Sequence, residues 1–321
     1  MLTREGPPSH VSAWRAVVRV LRSTPRGALD SLSAVLFPSD CRVCALPLAR
    51  FSLLPICDSC WNDLPVQSAR LCVRCGEALT FDSTNPAELQ CRPCRVTPPD
   101  FENAVAHGVY RGTLRSLLHL LKYDGLQPVA QRLGALLAQR ILEIPGLPGD
   151  LIVVPVPLYR GKRRDRGFNQ AERLARAAIA VLHRQNPTRH AQLEAGLLER
   201  RRATESQAGL SPHQRRANVR GAFFVPRPQA VQGRHVLLID DIYTTGATAR
   251  ACATALRRAG AAHVWVATVA RAQKEFATAT QARPAEARTA LPMHEDFVYW
   301  DHGVSGGRAD HDARSGTNAR T

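Results

Sequence analysis

Eight of the nine cysteines fall into four Cys-x-x-Cys pairs: Cys41/Cys44, Cys57/Cys60, Cys72/Cys75 and Cys91/Cys94, with 12, 11 and 15 residues between successive pairs. Such a pair holds two thiolates on one side of a tight turn, half of a tetrahedral zinc site. Four pairs supply two structural zinc ions, and metal binding supplies folding free energy that so short a segment lacks. The simplest assignment is sequential: Cys41, Cys44, Cys57 and Cys60 on one ion, Cys72, Cys75, Cys91 and Cys94 on the other. Spacing alone leaves a crossed assignment open. A disulfide scaffold would need an oxidising compartment, and a redox motif normally shows one pair beside a βαβ pattern. The second chemical group lies between His235 and Thr248. The carboxylates Asp240 and Asp241 stand directly before a hydroxyl-rich turn, Thr244-Thr245-Gly246-Ala247-Thr248. Backbone N–H groups and hydroxyls of such a turn can cradle a phosphate when a helix begins there. The acidic pair can accept from sugar hydroxyls or hold Mg²⁺ through water. No Gly-Lys-Ser/Thr follows, so this is not a Walker loop.

The elements needed to position these groups are legible around them. Val236 to Ile239 is a short apolar run of strand length. Ala249, Cys252, Ala253, Leu256 and Ala259 recur at helical spacing and make Cys252 a core residue. The acidic pair therefore sits in the turn of a strand–turn–helix unit, with its carboxylates at the solvent-accessible rim. Upstream, residues 104–110 read as a strand, and Leu114, Leu117, Leu118 and Leu121 as a helical stripe. Val129, Leu133, Leu136, Leu137 and Ile141 form a second stripe. Leu151 to Val156 is a continuous apolar run, the mark of a parallel strand buried on both faces. A basic loop follows at 160–167, then a helix carrying Ala171, Leu174, Ala175, Ala178, Ile179 and Leu182. Residues 199–222 show no core face and read as a long mobile loop. Val264 to Val269 is the last clear strand. The expected organisation is two amphipathic helices within 1–37, a double zinc ribbon at 38–97, an α/β domain at 101–272 and a disordered tail at 273–321.

The chain has 321 residues, 43 Lys plus Arg against 27 Asp plus Glu, and a net charge of +16. Only Lys122, Lys162 and Lys274 are lysines. The excess favours polyphosphates, nucleic acid or anionic surfaces. No apolar run reaches the roughly 18 residues of a membrane-spanning helix, and no signal peptide is visible. The expectation is a cytoplasmic protein.

Several stretches together carry a resemblance. The segment from Asp240 to Thr248 resembles the phosphoribosyl pyrophosphate (PRPP) fingerprint of type I phosphoribosyltransferases. Leu36-Phe37-Pro38, the four cysteine pairs, Leu120-Leu121-Lys122-Tyr123, Val154-Pro155-Val156-Pro157 and Arg164-Asp165-Arg166-Gly167-Phe168-Asn169-Gln170 precede it. Arg202-Ala203-Thr204, Gln207, Leu210, Arg215, Asn218 and Ala222-Phe223 complete the series, in an order that resembles the ComF family of competence-associated proteins. The likeness spans about residues 36–271. It implies a parallel sheet flanked by helices, type I phosphoribosyltransferase-like, behind an N-terminal double zinc ribbon. It implies that Asp240, Asp241, Thr244, Thr245, Gly246, Ala247 and Thr248 bind PRPP with Mg²⁺. Pro157, Arg163, Arg164 and Arg166 would face the pyrophosphate, and Arg202, Gln207, Arg215 and Asn218 would belong to a flexible loop that closes over it. The implied role is handling of single-stranded DNA in natural competence, alongside proteins of the competence machinery. The alternative is a Mg²⁺-dependent phosphoribosyltransferase acting on an unidentified acceptor in nucleotide metabolism. No base-recognition signature is present.

Overall fold

The structure is a computed structural model that describes residues 40–48, 54–67, 70–80, 85, 89–202 and 211–273. The expected N-terminal helices of 1–37, the tail beyond residue 273 and Gln207 lie outside the described residues.

In chain order the elements are α1 (Asp58–Asn62), α2 (Arg92–Val96), β1 (Ala104–Val109), α3 (Gly112–Tyr123), α4 (Gln127–Leu142) and β2 (Asp150–Pro155). Then come α5 (Arg160–Arg166), α6 (Gln170–Gln185), β3 (His190–Leu193), β4 (Glu199–Arg200), α7 (Pro212–Val219) and β5 (Phe223–Phe224). The strand–turn–helix unit gives β6 (His235–Tyr243) and α8 (Ala247–Arg258), and β7 (His263–Arg271) follows. Five strands form a parallel sheet in the order β1-β7-β6-β2-β3.

Strand side chains alternate between faces, and both faces are covered. Leu151, Val153, Leu237 and Ile239 enter one core with α3, α4 and α6. Ile152, Val154, Val236 and Leu238 enter the other, with Cys252 and Leu256 of α8. Cys252 is fully buried, as expected. The chain passes from β2 through α6 to β3 in one direction, and from β6 through α8 to β7 in the other. Its connections therefore diverge between β2 and β6, where an open α/β sheet has its ligand crevice.

The cysteine segment lies along β1, the outer strand. Val109 N–H donates to Pro65 O at 2.7 Å and Ala104 N–H to Arg74 O at 2.8 Å. These bonds occupy a sheet edge that would otherwise be free to pair with another chain.

Three expectations change. Residues 160–166 are a short helix rather than a loop; α5 buries no residue, so it leaves no apolar stripe to read. The described part of 199–222 is ordered: Glu199 pairs with Phe224 and Arg200 with Phe223 in an antiparallel ribbon. Ser211 and Gln214 form a capping box at the start of α7, a signal present in the sequence. Finally, β6 continues four residues past Ile239 and takes the acidic pair into the sheet.

Candidate functional site

Because β6 runs on to Tyr243, Asp240 and Asp241 are consecutive strand residues and point to opposite faces. Asp241 faces α3, where Lys122 Nζ lies 2.8 Å from its Oδ2, with side-chain exposures of 19% and 7%. Asp240 is half-buried on the α8 side, and its Oδ1 accepts from Asp241 N–H at 2.8 Å. The accessible rim expected of both carboxylates is thus wrong for Asp241, which is 5% exposed. Burial raises the Asp241 carboxyl, but the Lys122 ammonium overrides this and holds it below the usual range. Burial lowers Lys122, and Asp241 more than restores it. Burial and the neighbouring Asp241 charge push Asp240 well above the ordinary carboxylate value. The pair therefore splits into one firmly ionised member and one reluctant to ionise.

A cavity of about 300 Å³ opens over this pair at the crevice between β2 and β6. Thr244, Gly246 and Thr248 line it, as does Pro157. Gly246 has φ +74°, and a Cβ there would lie 2.1 Å from the Tyr243 hydroxyl. Only glycine lets the turn pass over that ring and open α8 toward the cavity. Thr245 turns back into the loop, where its Oγ1 accepts from Ala247 N–H at 3.4 Å.

Three further cations line the cavity: Lys162, Arg166 and Arg200. Of the three arginines expected around a pyrophosphate, only Arg166 is among its lining residues. Arg163 is directed to Glu172 at 3.8 Å, and Arg164 is exposed. Asn169 fixes this region: its Nδ2 donates to Val156 O at 3.0 Å and its Oδ1 caps Ala171 N–H at 3.1 Å. The side chain thereby ties the loop after β2 to the start of α6. Arg202, Arg215 and Asn218 are not among the lining residues. Arg202 instead donates to the carbonyl of Asn218 at 3.0 Å, bridging β4 to the end of α7.

Lys122, Lys162 and Arg200 were not singled out as site residues from the sequence. Lys122 stands in the Leu120-Leu121-Lys122-Tyr123 motif and left a physical signal besides. It follows Leu114 and Leu118 at four-residue steps, so a cation occupies the buried face of α3. Arg200 left none, since its strand is two residues long.

The cysteines gather sequentially into two tetrads, Cys41/Cys44/Cys57/Cys60 and Cys72/Cys75/Cys91/Cys94, with the Sγ atoms of each within 4.8 Å of one another. Thiolates about 2.3 Å from a shared ion stand roughly 3.8 Å apart at tetrahedral corners. Observed separations of 3.9 Å for Cys41–Cys60 and 3.6 Å for Cys44–Cys57 and Cys75–Cys91 fit that arrangement. Both tetrads can hold a metal ion. Their surroundings differ. Cys44 is exposed and Cys57 half-buried, whereas all four members of the second tetrad are buried. Arg250 lies 3.5 Å from Cys94 Sγ and Arg271 3.6 Å from Cys75 Sγ. Arg271 also stands 4.2 Å over the Tyr243 ring, beside the turn of Gly246.

The DNA utilization protein YhgH of Escherichia coli O157:H7 is 33% identical over 232 residues, 71% of this chain and 95% of that protein. Competence protein F of Haemophilus influenzae is 28% identical over 224 residues, 68% of this chain and 90% of its own length. The chain belongs to the ComF family. No protein-family model matches it. A solved structure described as the allosteric regulatory enzyme of purine biosynthesis is 26% identical and covers 44% of this chain. The TM-score is 0.28 and the match spans 26% of that enzyme, so it carries no weight for function. The fold and the paired cysteine tetrads of this ComF chain are those expected from its motifs. No helix among the described residues is long and apolar enough to cross a membrane.

Proposed function

We propose that this ComF protein binds PRPP with Mg²⁺ in the cavity between β2 and β6, and that PRPP binding serves the handling of single-stranded DNA. One observation carries the reading: an acidic pair at the ligand crevice sits beside a hydroxyl-rich turn that opens a helix toward four cationic side chains. Asp240 and Asp241 accept from the ribose hydroxyls. A carboxylate has lone pairs to spare, so Asp241 can do this while keeping Lys122. The turn from Thr244 to Thr248 takes the 5′-phosphate at the N-terminus of α8. Lys162, Arg166 and Arg200 neutralise the pyrophosphate, and Asp240 and Asp241 would hold Mg²⁺ through water, where it would add further positive charge beside the phosphates. The two tetrads hold zinc and stiffen the edge along β1. The net charge of +16 supports a nucleic-acid partner, and thiolate metal sites suit a reducing compartment such as the cytoplasm.

The test is PRPP titration by calorimetry at fixed Mg²⁺, for wild type and Asp240→Asn. Asp240 is reluctant to ionise, so its bond to a ribose hydroxyl is worth about 0.5–1.5 kcal/mol, and the variant should bind roughly two- to tenfold more weakly. Equal affinity with an unchanged melting temperature would remove the acidic pair from the site.

A further inference from the structure

We propose that Tyr123 forms the platform on which this cavity receives a planar heteroaromatic ring, so that a nucleobase is the group bound beside the phosphoribosyl moiety. The inference rests on the PRPP reading and extends it to a second half of the site. Tyr123 ends α3 one residue after Lys122 and lines the same cavity, yet it is 69% exposed. Its ring adds little to the core, which α3 reaches through Leu114, Leu117, Leu118 and Leu121.

The backbone beneath Tyr123 is held on both sides. Asp124 accepts from Arg42 of the cysteine segment at 2.7 Å. Gly125 has φ +61°, and a Cβ there would press on the Phe168 ring at 3.3 Å. Its carbonyl accepts from Arg173 at 2.8 Å, and the Arg173 guanidinium lies 3.6 Å over that same ring. An exposed ring on an anchored turn loses little freedom when a ligand stacks on it. Arg166, which also lines the cavity, stands 5.7 Å over Tyr123 and donates to Gln170 at 2.7 Å.

The remaining lining fits a ring as well. Val156, Pro157, Leu158 and Ile242 give the cavity an apolar side that phosphates and ribose hydroxyls do not need. Cations, hydroxyls and an exposed aromatic face in one cavity match a ligand that carries phosphate, sugar and a flat ring together. A base stacks on an aromatic side chain whatever its sequence, which agrees with the absence of a base-recognition signature.

The experiment compares ribose 5-phosphate, nucleoside 5′-monophosphates and a 5′-phosphorylated oligothymidylate as probes of the full-length protein. Nucleoside monophosphates should bind about tenfold tighter than ribose 5-phosphate. Tyr123→Ala should bring the ratio of the two affinities close to one, and Tyr123→Phe and Tyr123→Trp should restore it. The same Tyr123 dependence for the oligonucleotide, with little for mononucleotides, would identify the ring as belonging to a strand end. A ratio near one in wild type, a ratio unchanged in Tyr123→Ala, or equal losses for all probes would overturn the proposal. If wild type binds neither ribose 5-phosphate nor PRPP, the PRPP reading itself fails and this inference falls with it.

Discussion

Asp241→Asn should destabilise the protein far more than Asp240→Asn, although the two carboxylates are neighbours. Asp241 shares a buried ion pair with Lys122 at 2.8 Å. Removing one partner of such a pair leaves an uncompensated charge, at a cost of about 3–5 kcal/mol. The amide oxygen can still accept a bond, and Asp240 lies close enough to act on Lys122. These reduce the expected loss to about 2–3 kcal/mol. At roughly 2–4 °C per kcal/mol for a body of this size, the melting temperature should fall by about 4–12 °C. Asp240→Asn removes a carboxylate whose ionised form is already opposed by burial and by Asp241. Its stability at neutral pH should change by less than about 0.5 kcal/mol or rise. The pH dependence separates the two further. In wild type the Lys122 contribution is present below the ordinary lysine value of 10.5 and lost as pH rises through the raised folded value. The Asp241 contribution is present above 3.8 and lost as pH falls through its lowered folded value. In Asp241→Asn, burial of Lys122 prevails and lowers its folded value, so the variant should gain stability relative to wild type as pH rises toward 10.5. Thermal melts of both variants at pH 7 and at about pH 9.5 measure this. Equal losses, or a larger loss for Asp240→Asn, would refute the assignment of the ion pair to Asp241.

Metal analysis of protein purified without chelator should return about two zinc ions per chain. A chelator should strip the first tetrad faster, because Cys44 is exposed and the second tetrad is buried under Arg250 and Arg271; a single uniform release rate would contradict that difference. Affinity for single-stranded DNA should drop at least about tenfold between roughly 50 and 200 mM salt in a filter-binding or polarisation assay, and salt-insensitive binding would rule out a charge-driven interface.

What the sequence alone determined was local chemistry. Cysteines three residues apart must turn toward one side, and successive pairs a dozen residues apart can close on one ion without help from distant chain. A Thr/Gly turn between an apolar run and an amphipathic stripe likewise specifies a strand, a tight turn and a helix. Pairings between residues distant in sequence were decided by the tertiary structure. Asp241 meets Lys122, and Gly125 meets Phe168 and Arg173, only because α3 and α6 pack on the same face of the sheet. The end of β6 was hidden because aspartate is a poor strand former. Pairing of Asp240 with Thr268 and of Ile242 with Ala270 on β7 carries the strand onward regardless. Helix α5 was hidden because it buries nothing, so no periodicity records it. Apolar pattern registers which faces are buried. A polar site is assembled where connections diverge between β2 and β6, and that divergence follows from strand order, which a single sequence does not record.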